Sequence, residues 1–258
     1  MKIGLRAGHS DNCEGAVGIV NEHDQMKLYY AAVKCVLEEH GHTVIDCNSN
    51  GSDANAELSE GANIANSNNV DLFVSLHMNA SDGQGHGVEA WVSSTSSGAY
   101  SYATNLCTNF GDLGFTNRGV KTSTGLYEMN HVQAPNIIFE ICFCDSQTDI
   151  DIYNQYSWEK LAHIFCNAID TNIPKDVAGT TTTNEKGYVV TTYLPNGSNG
   201  DGSFQGVDLN YVLSYFNGVK CYAKGNEKGV WIETEYLDIN KCNELKSTLG
   251  SWFYSIEK

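Results

Sequence analysis

Residues 70–76 (VDLFVSL) and 137–143 (IIFEICF) are almost wholly apolar, and these two runs constrain the fold more than anything else in the 258-residue chain. A strand with one solvated face alternates apolar and polar residues. A run that is apolar at successive positions is buried on both faces, as in a parallel sheet covered by helices. The segments around the two runs supply the helices. Asn21 can cap a helix that carries Glu22 and Asp24 in its first turn, where the dipole favours acids. Met26, Tyr29, Tyr30, Val33, Val36 and Leu37 then keep helical spacing, and Gly41 ends the segment. A weaker helix is expected over 54–66 around Leu58, Ala62 and Ala65, and further helices over 100–110 and 153–172. Shorter strands are expected at 2–7, 43–46 and 87–92. This alternation predicts an α/β domain over residues 1–172, with a mostly parallel sheet flanked by helices on both faces.

Residues 173–187 hold one proline, a threonine run and no apolar period, which reads as a linker. The tail, 188–258, is repetitive. KGYVVTTYL at 186–194 returns as KGVWIETEYL at 228–237, each copy leading to a helical stretch (209–216, 241–249) and a closing strand (219–223, 252–256). Two βαβ units in tandem predict a small α+β ferredoxin-like (βαββαβ) domain. It carries no acid–base or metal constellation, so binding is its expected role. An exposed apolar strand edge there offers a route to oligomers.

Net charge is −16, of which −14 falls in residues 1–174. An acidic face repels phosphate backbones, which excludes nucleic acid and anionic membranes as partners. No apolar run approaches the roughly 20 residues that a membrane span needs. The opening residues lack the apolar core of a secretory signal and read as a strand, so synthesis without a signal peptide is expected. Nine cysteines without a CxxC pair read as structural thiols; Cys35, Cys107 and Cys166 are expected to be buried by their helices.

Of eight histidines, His9 and His77 stand apart because each follows a predicted strand. Ligands of an open α/β sheet gather at the carboxyl ends of strands, where two such imidazoles can converge. A catalytic zinc takes three protein ligands and leaves a position for water. Glu22 suits the third place, since the helix N-terminus favours its ionised form; His23 is a rival about 100° away around the helix. Glu140 interrupts the second apolar run. A carboxylate there is costly unless its pKa rises or a cation pairs with it. It is a candidate general base and acid, or else the partner of Arg118 or Lys121. No Gly-x-Ser-x-Gly elbow or P-loop offers another chemistry.

The ordered motifs Gly8-His9-Ser10, Asn21-Glu22, Ser75-Leu76-His77-Met78-Asn79-Ala80, Arg118-Gly119-Val120-Lys121 and Phe139-Glu140-Ile141-Cys142-Phe143-Cys144-Asp145 resemble the zinc-dependent N-acetylmuramoyl-L-alanine amidases of the type 3 group. The resemblance covers residues 1–172. It implies that His9, Glu22 and His77 bind Zn2+, that Glu140 is the catalytic carboxylate, and that a six-stranded sheet carries them. The implied reaction is cleavage of peptidoglycan between the muramic acid lactyl group and L-alanine. Asn79 is implied to be near substrate. One departure stands out: the helix before His77 commonly carries an arginine after its Leu-Ser pair, and Gly61 is near that place. With its tail, the chain resembles phage endolysins bearing a C-terminal wall-binding domain. Its expected partners are peptidoglycan and secondary wall polymers; it is expected to be made in the bacterial host cytoplasm and to act on the wall after release. A zinc peptidase cutting the stem peptide, and a non-catalytic wall-binding protein with a relict site, are the competing readings.

Overall fold

The computed structural model describes residues 1–176, 186–194, 209–216 and 218–258. The chain divides into two compact units, Met1–Ala178 and Gly179–Lys258. Residues 177–185 of the expected linker lie outside the described residues.

In the first unit β1 (Lys2–Ala7) leads into α1 (Glu22–Glu39), β2 (Thr43–Asp46), α2 (Ala54–Ser67) and β3 (Leu72–Asn79). There follow β4 (Val88–Val92), α3 (Tyr100–Gly111), β5 (Asn117–Thr122) and α4 (Tyr127–His131). The unit closes with β6 (Asn136–Phe143), α5 (Gln147–Tyr153) and α6 (Trp158–Ile169). Six strands form one sheet in the order β2-β1-β3-β6-β4-β5. β2, β1, β3 and β6 are parallel neighbours, and β4 joins β6 antiparallel. The two apolar runs are the central strands, paired Val74 to Ile137 and His77 to Glu140.

Side-chain alternation sends Leu5, Val74, Leu76, Ile137 and Phe139 to one face, where they pack with Met26, Tyr29, Phe110, Leu161 and Phe165 from α1, α3 and α6. Phe73 points to the other face, against Ala62 and Ala65 of α2, Cys47 and Val132. Each fully buried Leu, Ile or Phe contributes roughly 1.5–3 kcal/mol, so this two-sided core fixes the strand register that the site depends on. The Asn21 side chain accepts from Asp24 N as expected; Asp53 and Ser157, which were not foreseen as caps, accept from Ala56 N and Lys160 N at the starts of α2 and α6.

Several expectations need correction. β3 does not stop at Leu76 but runs to Asn79, because β6 keeps pairing beside it, so His77 lies inside the strand. The helix expected over 153–172 is shorter: Ser157 caps its start at Trp158, and it ends at Ile169. Cys35 is exposed on α1, whereas Cys107 and Cys166 are buried. β5, α4 and α5 were not foreseen. β5 is an edge strand reading NRGVKT, too polar to show a period.

In the second unit β7 (Lys186–Thr191), α7 (Leu209–Leu213), β8 (Cys221–Asn226), β9 (Gly229–Thr234), the two-residue β10 (Leu237–Asp238), α8 (Ile239–Leu249) and β11 (Phe253–Glu257) follow in turn. β11 and β9 flank β7, and β8 lies beyond β9; these pairings are all antiparallel. Val189 and Ile232 pack with Val212, Phe216, Leu245 and Leu249 on one side of this sheet. Among the described residues, no helix is long and apolar enough to cross a membrane.

Candidate metal centre

β1 delivers His9 just beyond its carboxyl end in a left-handed conformation, φ 68°. That backbone costs a non-glycine residue of order 1–3 kcal/mol, so its surroundings must hold it. A bridge between Ser10 and Cys13 closes the turn, with N–H to O distances of 3.1 and 2.9 Å. Gly15 lies so close that any Cβ would overlap the His9 ring, and a Cβ at Gly8 would do the same to His77. Two glycines thus let the imidazoles meet, with ring centroids 5.0 Å apart at 84°.

Glu22, in the first turn of α1, is 2% exposed and stands between them. Its Oε2 is 3.2 Å from His9 Nε2, and its Oε1 is 2.9 Å from His77 Nδ1. Backbone N–H groups of Ala16 and Met78 donate to the same two oxygens, each at 3.0 Å. Ser75 Oγ, two residues back along β3, sits 3.0 Å from His77 Nε2 and orients the ring so that Nδ1 faces the carboxylate. Burial pushes the Glu22 carboxyl up, but hydrogen bonds to His77 and His9 outweigh it and hold the group well below the usual carboxylate range. Burial pulls the His77 imidazole down, and the Glu22 hydrogen bond with the Glu140 charge more than reverses this, leaving it raised.

Ligand atoms of His9, Glu22 and His77 all lie within 4.8 Å of one another, the one such cluster among the described residues. His23 takes no part: its ring nitrogens meet Gly8 O and Asp11 Oδ1, both at 3.1 Å. His40, His86, His131 and His163 bond nearby carbonyls, and His42 bonds Asp170.

Glu140 pairs in register with His77 from the next strand. Its Oε2 is buried and has no hydrogen-bond partner. Burial pushes the carboxyl up to about 7, assisted by the charges of Glu22, Glu89 and Glu128 against the opposing pull of His77. Arg118 does not neutralise it. That guanidinium bonds Glu89 at 2.6 Å, and Glu89 also accepts from Asn79 and Trp91. Asn79, implied to be near substrate, is therefore engaged with Glu89 and with Ala80 N.

Sequence reasoning missed Glu89 and a buried triad on the α2 side of the sheet. Arg6 is fully buried and bonds Glu57 of α2 at 2.6 Å and Glu128 of α4 at 3.3 Å. A Cβ on Gly61 would lie 3.4 Å from Arg6 Nη1. Gly61 thus leaves room beside α2 for the guanidinium that β1 delivers there. Arg6 in an otherwise apolar strand was the available signal, and two carboxylates to pair with it could have been sought.

Two imidazoles and a carboxylate thus converge at one end of an α/β sheet, in a cluster whose ligand atoms could hold a metal ion. The family profile of N-acetylmuramoyl-L-alanine amidases matches residues 3–171, and the chain belongs to that family. Its first unit is similar to the catalytic domain of CD27L endolysin targeting Clostridia Difficile: TM-score 0.60, 32% identity, 66% of this chain and 96% of that one. Cwp6 from Clostridium difficile gives TM-score 0.60 and 25% identity over 67% of this chain and 29% of that one. An uncharacterised 38.4 kDa protein of Clostridium perfringens is 33% identical over 183 residues, 69% of this chain and 53% of its own length. The chain therefore spans about half the length of the curated clostridial relatives that it matches.

Proposed function

We propose that this chain is a zinc-dependent peptidoglycan hydrolase that cuts the amide between N-acetylmuramic acid and L-alanine, in the manner of a phage endolysin. The observation that carries this reading is the meeting of His9 Nε2 and His77 Nδ1 on separate oxygens of Glu22, with the unpaired Glu140 carboxyl on the neighbouring strand.

The donor set suits zinc, since it offers two imidazoles, one carboxylate and a free corner. Zinc held by His9, Glu22 and His77 would supply Lewis-acid polarisation of the amide carbonyl and activation of a water near neutral pH. Glu140 takes a proton from the attacking water and returns it to the departing L-alanine nitrogen. Burial raises this carboxyl in the metal-free protein and so favours the proton uptake that the role requires. The dry wall of β6 keeps the proton from leaking to solvent.

The second unit is read as a ferredoxin-like wall-binding domain. Its strand order supports the topology, and its aromatics support the role. On the sheet face away from Val189 and Ile232, Tyr222 and Lys224 oppose Glu233 and Trp231. Tyr193 packs edge-on to Trp231, and Tyr188 lies against Tyr236. Rings with polar tips suit sugars. The proposed setting is synthesis in a bacterial host cytoplasm followed by action on the wall after release.

A wall-lysis assay with chelator and zinc, combined with mass spectrometry of the digest, tests the proposal. Lysis lost on chelation, regained with zinc, and leaving intact stem peptides with a free L-alanine amine is the expected result. Cuts inside the stem peptide would make the chain a zinc peptidase. Binding to walls without cleavage would make it a wall-binding protein with a relict site.

A further inference from the structure

Two rows of side chains cross the face of the sheet that carries His77. In one, His77 of β3 pairs in register with Glu140 of β6, and Glu140 with Glu89 of β4. In the next, Ile138, Trp91 and Lys121 follow one another from β6 to β5. β5 is the edge of the sheet on this side, and it brings two cations, Arg118 and Lys121, to the same face. A regular strand could not do so, because residues three apart point to opposite faces. Here the register slips: Val88 pairs with Asn117 but Ala90 with Val120, so β5 holds one residue more than β4. Gly119 lies in the slip at φ 76°, although a Cβ there would meet nothing within 4 Å. The glycine serves the bulge, and the bulge lets both cations share a face.

Neither cation is fully engaged. Arg118 donates from Nε to Glu89 Oε2 at 2.6 Å and from Nη1 to His86 O at 3.5 Å, and its guanidinium lies 5.0 Å over the Phe143 ring. Its Nη2 has no hydrogen-bond partner among the described residues, and the side chain is 38% exposed. Lys121, half-buried, has no hydrogen bond or salt bridge among them. Glu89 balances one charge of the two, so this edge stays cationic in a unit whose residues 1–174 carry −14.

On the amidase reading Glu140 passes a proton to the leaving nitrogen, so the departing peptide runs from β6 over β4 toward β5. Two strand spacings make about 10 Å, which about three extended residues span. We infer that Arg118 and Lys121 receive carboxylates of the stem peptide, on the second or third residue from the scissile amide, and so select acidic stems over amidated ones. The inference rests on the amidase reading and adds to it a charge requirement that cleavage of the amide does not itself impose.

The test compares two muramoyl-tripeptides of one sequence, one with its carboxyl groups free and one with them converted to carboxamides. The full-length wild type is expected to favour the acidic substrate by about tenfold or more in kcat/KM, the scale of one charge-assisted hydrogen bond. Lys121→Glu should bring that ratio to unity or below. Arg118→Lys, which keeps a charge against Glu89 and loses the planar fork, should lower it in part. Calorimetry with the free tripeptides gives a readout independent of turnover: wild type binds the acid more tightly than the amide, by a margin that shrinks as salt rises, and Lys121→Glu loses the margin. Equal kcat/KM for the two substrates in wild type, or a preference that survives Lys121→Glu undiminished, would overturn the assignment. If neither substrate is cut, the amidase reading falls, and the calorimetry still decides whether this edge binds carboxylates.

Discussion

At the carboxyl ends of β1 and β3 the first unit buries ionisable groups against one another, while the second unit pairs Lys224 with Glu233 on its sheet surface and displays rings. Glu22 and Arg6 are 2% and 0% exposed, and Glu89 and Glu128 are comparably hidden. In the second unit Lys224 and Glu233 pair at 2.6 Å on the sheet surface, beside Trp231 and the exposed Tyr222. On the proposed reading the contrast separates two jobs. Buried charge has a high cost that only a cation or a reaction justifies; exposed rings cost little and suit adhesion to a repetitive polymer.

The sharpest break in that contrast is at Glu140. Glu140→Ala should retain one zinc and lose about 10²–10⁴ in turnover on a soluble muramoyl-peptide, the usual contribution of general acid–base catalysis. Steady-state rates set against metal analysis check it, and near-normal turnover would remove Glu140 from the reaction. Next in size is the triad. Arg6→Met leaves Glu57 and Glu128 buried without their cation and should cost about 3–5 kcal/mol in urea unfolding. A loss within experimental error would mean that water reaches those carboxylates.

Glu140 also opposes stability. Its pKa in the folded, metal-free protein is raised from 4.5 to about 7, so its favourable contribution is complete below pH 4.5 and is lost as pH rises through 7. Glu140→Gln in metal-free protein should therefore match wild type at pH 4 and exceed it by about 3 kcal/mol at pH 8. Thermal unfolding at the two pH values decides this. The smallest effect is expected on the other side of the comparison. Tyr222→Ser with Trp231→Ala should weaken binding to purified walls about tenfold, on the order of 1.4 kcal/mol, and leave kcat on the soluble substrate unaltered. Unchanged wall binding would move adhesion away from this face.

Much of the first unit was legible because its signals are local or periodic. The two apolar runs announced a covered sheet, and Glu140 stood out as the charge that such a strand should not contain. The cluster was legible for a related reason: His9 and His77 stand toward the carboxyl ends of strands that a parallel sheet brings side by side, and Glu22 opens the intervening helix. What escaped depends on pairing between distant segments. His77 looked as though it followed its strand because only β6 beside it extends the ladder to Asn79. Arg118 looked free to pair with Glu140 because Glu89 reaches it from β4, 29 residues away. Arg6 meets Glu57 and Glu128 across separations of 51 and 122 residues, which no window along the chain reveals.

The central claim is that one divalent ion is held by His9, Glu22 and His77. Its most direct test is zinc titration of the metal-free protein by calorimetry in buffers of different ionisation heat, with His77→Ala alongside. One zinc per chain is predicted, with proton release that grows as pH falls, because the Glu22 hydrogen bond favours the protonated His77 imidazole in the metal-free state and a ligand must be neutral. His77→Ala should lose most of that affinity. Tight zinc binding that survives His77→Ala undiminished would contradict the claim.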